Sequence, residues 1–286
     1  MRATFFGATG ANCQLNRITE AFDNLGNVRS SFEPDFIYSN DPGGFEAAIQ
    51  QKEQYPRAKL ILNFLDFPLH CSEFPDLLNK WREQIEFADK ITAISKYTQS
   101  QAEMYFEREC HLIYNPIKPV SNLNIPFNKK IIDILMVGRL NDPNKRANLA
   151  YQALRELNQN LNVAIVGSEY PGFGNYYGLV SDNDLNQIYN NSKICLALGK
   201  VEGLNLPVIE SVITNSCPIV CVDSTTASEF LPINFWANPE PKDLAAKIYD
   251  ILDNPLPYLT IVKPLGVKYK EQFSAENVCK RILSLV

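Results

Sequence analysis

A doubly wound α/β protein in two halves is the fold class this sequence predicts, and three observations lead to it. Short apolar runs alternate with amphipathic stretches, the pattern of parallel strands joined by helical crossovers. The alternation stops over residues 118–130, which are rich in Pro and Asn, and then begins again. The run Ile131–Val137 is apolar at nearly every position, as a strand buried on both faces of a parallel sheet must be. At 286 residues the chain has the length of about two domains.

The elements follow in order. Thr4–Phe6 is the first strand, entering the turn Gly7–Asn12 and a helix that reaches Leu25. Phe36–Tyr38 is a strand and Phe45–Gln54 a helix; Lys59–Phe64 is a strand and Pro75–Ala88 a helix. Trp81 falls with Leu77, Leu78, Ile85 and Ala88 at helical spacing, which marks it as core. Lys90–Ile94 is a strand, a helix from Ser95 runs to Glu107, and Leu112–Tyr114 closes the first half, with His111 at its head in a structural place. After Ile131–Val137, the helix over Lys145–Leu157 carries Ala147, Ala150, Leu154 and Leu157 on one face. Val163–Val166, Ile194–Leu198 and Pro218–Val222 are strands; Asp184–Asn190, a segment opened by Pro207, and Asp243–Leu252 are helices. Ser274–Leu285 is a last helix with Val278, Ile282 and Leu285 on one stripe. The expected domains are 1–117 and 131–265, joined by a linker at 118–130, with a terminal helix in 266–286 crossing back to the first.

Composition is that of an ordinary globular chain, 45% hydrophobic and 21% charged. The net charge of −5 argues against a nucleic-acid or anionic-membrane partner. No apolar run reaches the ~18 residues a membrane span needs, and residues 1–12 lack a signal-peptide pattern. The seven cysteines are odd in number, scattered and without a C-x-x-C, which fits reduced thiols and an expected cytoplasmic location.

Three segments at the ends of second-half strands carry the chemistry. Gly138-Arg139 is followed by Lys145 near a helix start, an arrangement that would hold a diphosphate. Gly178-Leu179-Val180-Ser181 precedes the next helix and offers main-chain groups to a planar base. In Glu202-Gly203-Leu204-Asn205-Leu206-Pro207-Val208-Ile209-Glu210, two carboxylates flank a strand–loop–helix joint, where backbone N–H groups and the helix dipole converge. Carboxylates at such an anion-friendly place suit the hydroxyls of a sugar or a ribose.

Together these segments resemble the donor-binding half of GT-B retaining glycosyltransferases of family 4, also called group 1. The resemblance spans residues 131–240 and extends more weakly to Ile91–Ser95 and Tyr114–Ile117. It implies two Rossmann-like domains facing each other across a cleft. It also implies metal-independent, retaining transfer of a sugar from a UDP- or GDP-sugar to a glycan or other hydroxyl acceptor, with no cofactor. By the same resemblance Arg139 and Lys145 hold the diphosphate and Glu202 contacts the donor sugar. The loop Gly203, Leu204, Asn205 and Leu206 turns its N–H groups to sugar and phosphate. Glu210 takes the ribose hydroxyls, Val180 the base, and Gly138 the turn beside Arg139, while Gly10 and Ala11 approach the diphosphate from the first domain. His70, after Asp66 in the segment following Lys59–Phe64, corresponds loosely to a family position near acceptor or sugar.

Leu204-Asn205 stands where the family more often has Phe-Gly. Asn tolerates a left-handed backbone, so the turn is expected to survive with the Asn205 side chain beside the sugar. Asp182-Asn183-Asp184 has the spacing of a metal-binding Asp-x-Asp but reads as a helix start capped by Ser181 or Asp182, so no metal is expected there. The competing readings are a non-catalytic nucleotide-sugar- or glycan-binding subunit and an NAD(P)-binding short-chain dehydrogenase or epimerase. Against the latter, the third glycine position after Gly7-Ala8-Thr9-Gly10 is Cys13, and in Tyr55-x-x-x-Lys59 the Lys begins a strand.

Overall fold

The computed structural model describes residues 1–7, 12–65, 74–118 and 120–286. The chain divides into two compact units, Met1–Lys118 with Gln272–Val286, and Pro119–Glu271.

The first unit runs β1 (Arg2–Phe6), α1 (Asn12–Asn24), β2 (Val28–Arg29), β3 (Phe36–Ser39), α2 (Phe45–Gln54) and β4 (Lys59–Phe64). It continues with α3 (Pro75–Ile85), β5 (Lys90–Ala93), α4 (Lys96–Phe106) and β6 (Cys110–Leu112). Its strands form one parallel sheet in the order β2-β1-β3-β4-β5-β6. On one face Leu60, Leu62 and Phe64 pack against Trp81, Ile85 and Phe106, as the helical spacing around Trp81 requires. On the other face Phe36 and Tyr38 meet Ile18 and Phe22 of α1 together with Val278, Cys279 and Ile282 of the terminal helix. Ser95 opens α4 by accepting the Thr98 N–H, which satisfies one of the donors a helix start leaves over.

The second unit runs β7 (Ile132–Val137), α5 (Ala147–Leu157), β8 (Val163–Val166), β9 (Asn175–Tyr176), α6 (Asp182–Asn190) and β10 (Ser192–Leu196). Then come α7 (Leu206–Ile213), β11 (Cys217–Cys221), α8 (Ala227–Phe230), β12 (Trp236–Ala237), α9 (Pro241–Asp253) and α10 (Leu256–Gln272); α11 (Ala275–Leu283) returns to the first unit. The sheet order is β12-β11-β10-β7-β8-β9, all parallel. Read from the β9 edge this is the doubly wound order of dinucleotide-binding folds, whose direction of winding reverses between β7 and β10. Cys217 and Cys221 lie inside β11 and are buried free thiols.

Helix α10 departs from the sequence reading, which places no helix over 256–265 and gives residues 266–271 to the terminal segment. Residues up to Glu271 instead belong to the second unit. Prolines 255, 257 and 264 hide the helix, yet Tyr258, Val262, Gly266 and Tyr269 form its buried stripe despite Pro264 inside it. Gly266 is needed there, since a Cβ would lie 2.7 Å from the Val212 carbonyl oxygen of α7. Among the described residues no helix is long and apolar enough to cross a membrane.

Candidate functional site

The crevice outside the strand ends at the β7/β10 reversal is where an open α/β sheet binds ligands. From the β7 side, Gly138 leaves the strand with φ +137°, a region favouring glycine, and its N–H donates to the Val166 carbonyl at 2.9 Å. Its carbonyl oxygen passes within 2.0 Å of where a Cβ on Gly167 would stand, so both strand ends need glycine. Arg139 follows, exposed, and its guanidinium has no partner among the described residues.

The chain then tightens into a 3₁₀ turn, Pro143–Lys145, capped by the Asp142 carboxylate on the Asn144 N–H. Helix α5 begins only at Ala147, so Lys145 sits on the turn before the helix rather than in it. Its Nζ lies 2.6 Å from Glu202 Oε1, with side-chain exposures of 23% and 12%. Arg146, left-handed at φ +54°, is spent elsewhere: its guanidinium grips Asp223 in two bonds of 2.7 and 2.6 Å. That pairing pushes the Asp223 carboxyl below, and the Arg146 guanidinium above, their usual ranges. Lys145 is therefore the cation of this turn that faces Glu202.

From the β10 side, the Glu202 carboxylate lies against Gly199, where a Cβ would stand 1.8 Å from Oε1. The N–H groups of Gly203, Leu204 and Asn205 have no partner among the described residues, whereas that of Leu206 is bound to the Leu204 carbonyl at 2.9 Å. Three free donors thus precede α7, whose start adds the positive end of its dipole. Asn205 corrects the sequence expectation. Its backbone is not left-handed (φ −78°), and its side chain turns inward, 3% exposed, with Nδ2 donating to the Ala197 carbonyl at 3.3 Å. The carbonyl at the end of β10 needs a donor, and the Asn205 amide supplies it.

Glu210 is buried, on the first turns of α7. Its charge reaches the Tyr189 hydroxyl and the Cys195 thiol, both already pushed upward by burial, and raises them further. On the β8 side, Gly178 is at φ +70° and accepts the Gly167 N–H at 3.1 Å. Val180 packs its side chain on the core around Leu135 and Leu185 and keeps its main-chain groups free. Ser181 caps α6, accepting from the Asp184 N–H and donating to its carboxylate at 2.6 Å, so Asp182–Asp184 serves the helix start.

One unit therefore brings together Gly138, Arg139, Lys145, Glu202 and the loop Gly203–Leu206 on the two sides of the winding reversal. Gly10, Ala11, Asp66 and His70 lie outside the described residues. Sequence reasoning passed over Asn144, Asp223 and Thr225, which bond the loops of this site. The only signal for them was position, in segments that follow strands β7 and β11.

Residues 132–254 match the family described as glycosyl transferases group 1. No curated protein sequence matches the chain. Among solved structures, HepE from Anabaena in complex with UDP is similar with a TM-score of 0.80 at 15% identity, covering 99% of each chain. Sucrose-phosphate synthase from Thermosynechococcus elongatus gives 0.74 at 14%, over 99% of this chain and 97% of that one. The lipopolysaccharide outer core galactosyltransferase WaaB gives 0.73 at 14% over 100% of both. At such identities the likeness is one of fold, the GT-B pairing of two parallel α/β units. Residues 132–254 form a group 1 glycosyltransferase domain, and the protein that carries it is a glycosyltransferase.

Proposed function

We propose that the protein transfers a sugar from a nucleoside diphosphate sugar to a hydroxyl acceptor, with retention at the anomeric carbon and without a metal. The observation that carries this reading is the convergence of the free Arg139 guanidinium, Lys145 and three unpartnered N–H groups at the β7/β10 reversal. Fixed cations and oriented N–H dipoles stabilise charge that grows on a departing diphosphate, the task a divalent ion performs elsewhere. Glu202, held against Lys145, is assigned to the donor-sugar hydroxyls. Val180 offers main-chain groups to the base, and Glu210 is assigned to the ribose. Gly10, Ala11 and His70 remain assigned to the diphosphate and the acceptor side through the family resemblance. HepE, of similar fold, has been crystallised with UDP-glucose, which makes a uridine donor the first to try.

The test is transfer from UDP- and GDP-sugars to oligosaccharide acceptors in EDTA, with the product's anomeric proton read by NMR. Turnover in EDTA with retained configuration, abolished in Glu202→Ala, is the expected outcome. An inverted product, a requirement for added metal, or full activity in Glu202→Ala would overturn the reading.

A further inference from the structure

Between the end of β10 and Gly203 the chain passes through Lys200, Val201 and Glu202 in neither helix nor strand. Backbone polar groups in such a segment must find partners elsewhere. All six of them do, and only two residues supply the bonds. The Asn144 carbonyl accepts from Lys200 N–H at 3.2 Å, its Oδ1 accepts from Val201 N–H at 2.8 Å, and its Nδ2 donates to the Val201 carbonyl at 2.9 Å. The Thr225 N–H donates to the Lys200 carbonyl at 2.9 Å. Its hydroxyl accepts from Glu202 N–H at 2.9 Å and donates to the Glu202 carbonyl at 3.0 Å. Asn144 presents an amide to Val201 as a neighbouring strand would, and Thr225 uses one hydroxyl as donor and acceptor at once.

We propose that Asn144 and Thr225 are the positioning residues that set Glu202, one from the loop after β7 and the other from the loop after β11. The inference rests on the donor reading above. Neither residue is assigned a contact with the substrate; each acts through the backbone that carries the Glu202 carboxylate. Asn144 also adjoins Lys145, so the ion pair between Lys145 and Glu202 spans two segments already tied at the main chain. The segment 200–202, neither helix nor strand, thereby has all six backbone groups bonded, which fixes the backbone from which the Glu202 carboxylate projects.

Asn144→Ala removes both side-chain bonds to Val201, Thr225→Val removes both hydroxyl bonds to Glu202, and Thr225→Ser keeps them. Amide hydrogen exchange is expected to quicken at least about tenfold at Val201 in Asn144→Ala and at Glu202 in Thr225→Val, with Thr225→Ser unchanged. Turnover of the nucleotide sugar is expected to fall about 100-fold in the first two variants, because misplacement by an ångström costs that much. UDP affinity, which does not need Glu202, should stay within about threefold. Unchanged exchange at those amides would overturn the clamp. Full turnover in both variants despite quickened exchange, or a parallel fall in UDP affinity and turnover, would overturn the positioning role. If the unmodified protein binds no nucleotide sugar, the donor reading fails, and the exchange measurement alone decides whether the clamp exists.

Discussion

Gly199→Ala tests the site with very little added matter. Gly199 is buried at the end of β10, and a Cβ there would stand 1.8 Å from Glu202 Oε1, 2.7 Å from its Cδ and 3.0 Å from its Cγ. All three nearest atoms belong to Glu202, so the added methyl first meets one flexible side chain. To reach an ordinary contact of 3.4 Å the carboxylate must retreat by about 1.6 Å. The same oxygen is 2.6 Å from Lys145 in the native arrangement, so a shift of that size disturbs the ion pair. A catalytic constellation tolerates about 0.5 Å, and a 1 Å displacement costs about 100-fold. Turnover is therefore expected to fall by at least about 100-fold. The fold, with only a rotamer change to absorb, should lose no more than about 1 kcal/mol, or about 4 °C in Tm. Initial rates with the preferred nucleotide sugar, beside a calorimetric melt, read both quantities. Wild-type turnover in a folded Gly199→Ala protein would refute the placement of Glu202; a melt lowered by tens of degrees would refute the claim that only its side chain yields.

Three further outcomes are expected. Arg139→Ala deletes a charge-assisted contact to the diphosphate worth about 1.5–3 kcal/mol, so UDP binding should weaken about 10- to 150-fold, with UMP affected far less; equal losses for the two nucleotides would place Arg139 elsewhere. Gly266→Ala should destabilise by about 1–3 kcal/mol in urea, against the gain of about 1 kcal/mol that Ala brings to an open helix position, because its Cβ meets the Val212 carbonyl oxygen at 2.7 Å. Lys130, 4% exposed, donates to the Ser192 and Thr214 carbonyls, and burial lowers its pKa from 10.5 to about 8. Between those pH values the unfolded chain binds the extra proton, so the stability of wild type relative to Lys130→Met should rise as pH climbs from 8 to 10.5, by up to about 3 kcal/mol. A difference flat with pH in urea melts would contradict that pKa.

The alternation of apolar runs made both sheets legible, because parallel strands buried on two faces leave no polar side to blur the pattern. The two-residue edge strands β2, β9 and β12 left no such trace, and the three prolines around α10 outweighed a regular stripe from Tyr258 to Tyr269. In the site, position was readable: Gly138 and Arg139 directly follow β7, and Lys145 and Glu202 lie in the loops beyond β7 and β10, which the fold sets on the two sides of the winding reversal. Asn205 was misread because a loop Asn tolerates a left-handed backbone, whereas here a carbonyl at the end of β10 claims its amide. Arg146 adjoins Lys145 in sequence, and what sets the two cations apart is Asp223, distant in sequence, which holds Arg146. Asn144 and Thr225 were invisible for the same reason, since their partners lie 57 and 23 residues away.

We expect a nucleoside diphosphate to sit where the N–H groups of Gly203, Leu204 and Asn205 have no partner among the described residues. An amide NMR titration with UDP, in EDTA, tests it most directly. Saturable shifts centred on those three amides and on the residues beside Arg139 and Lys145 are expected. Saturable shifts elsewhere while these stay still, or shifts here only after a divalent metal is added, would contradict it.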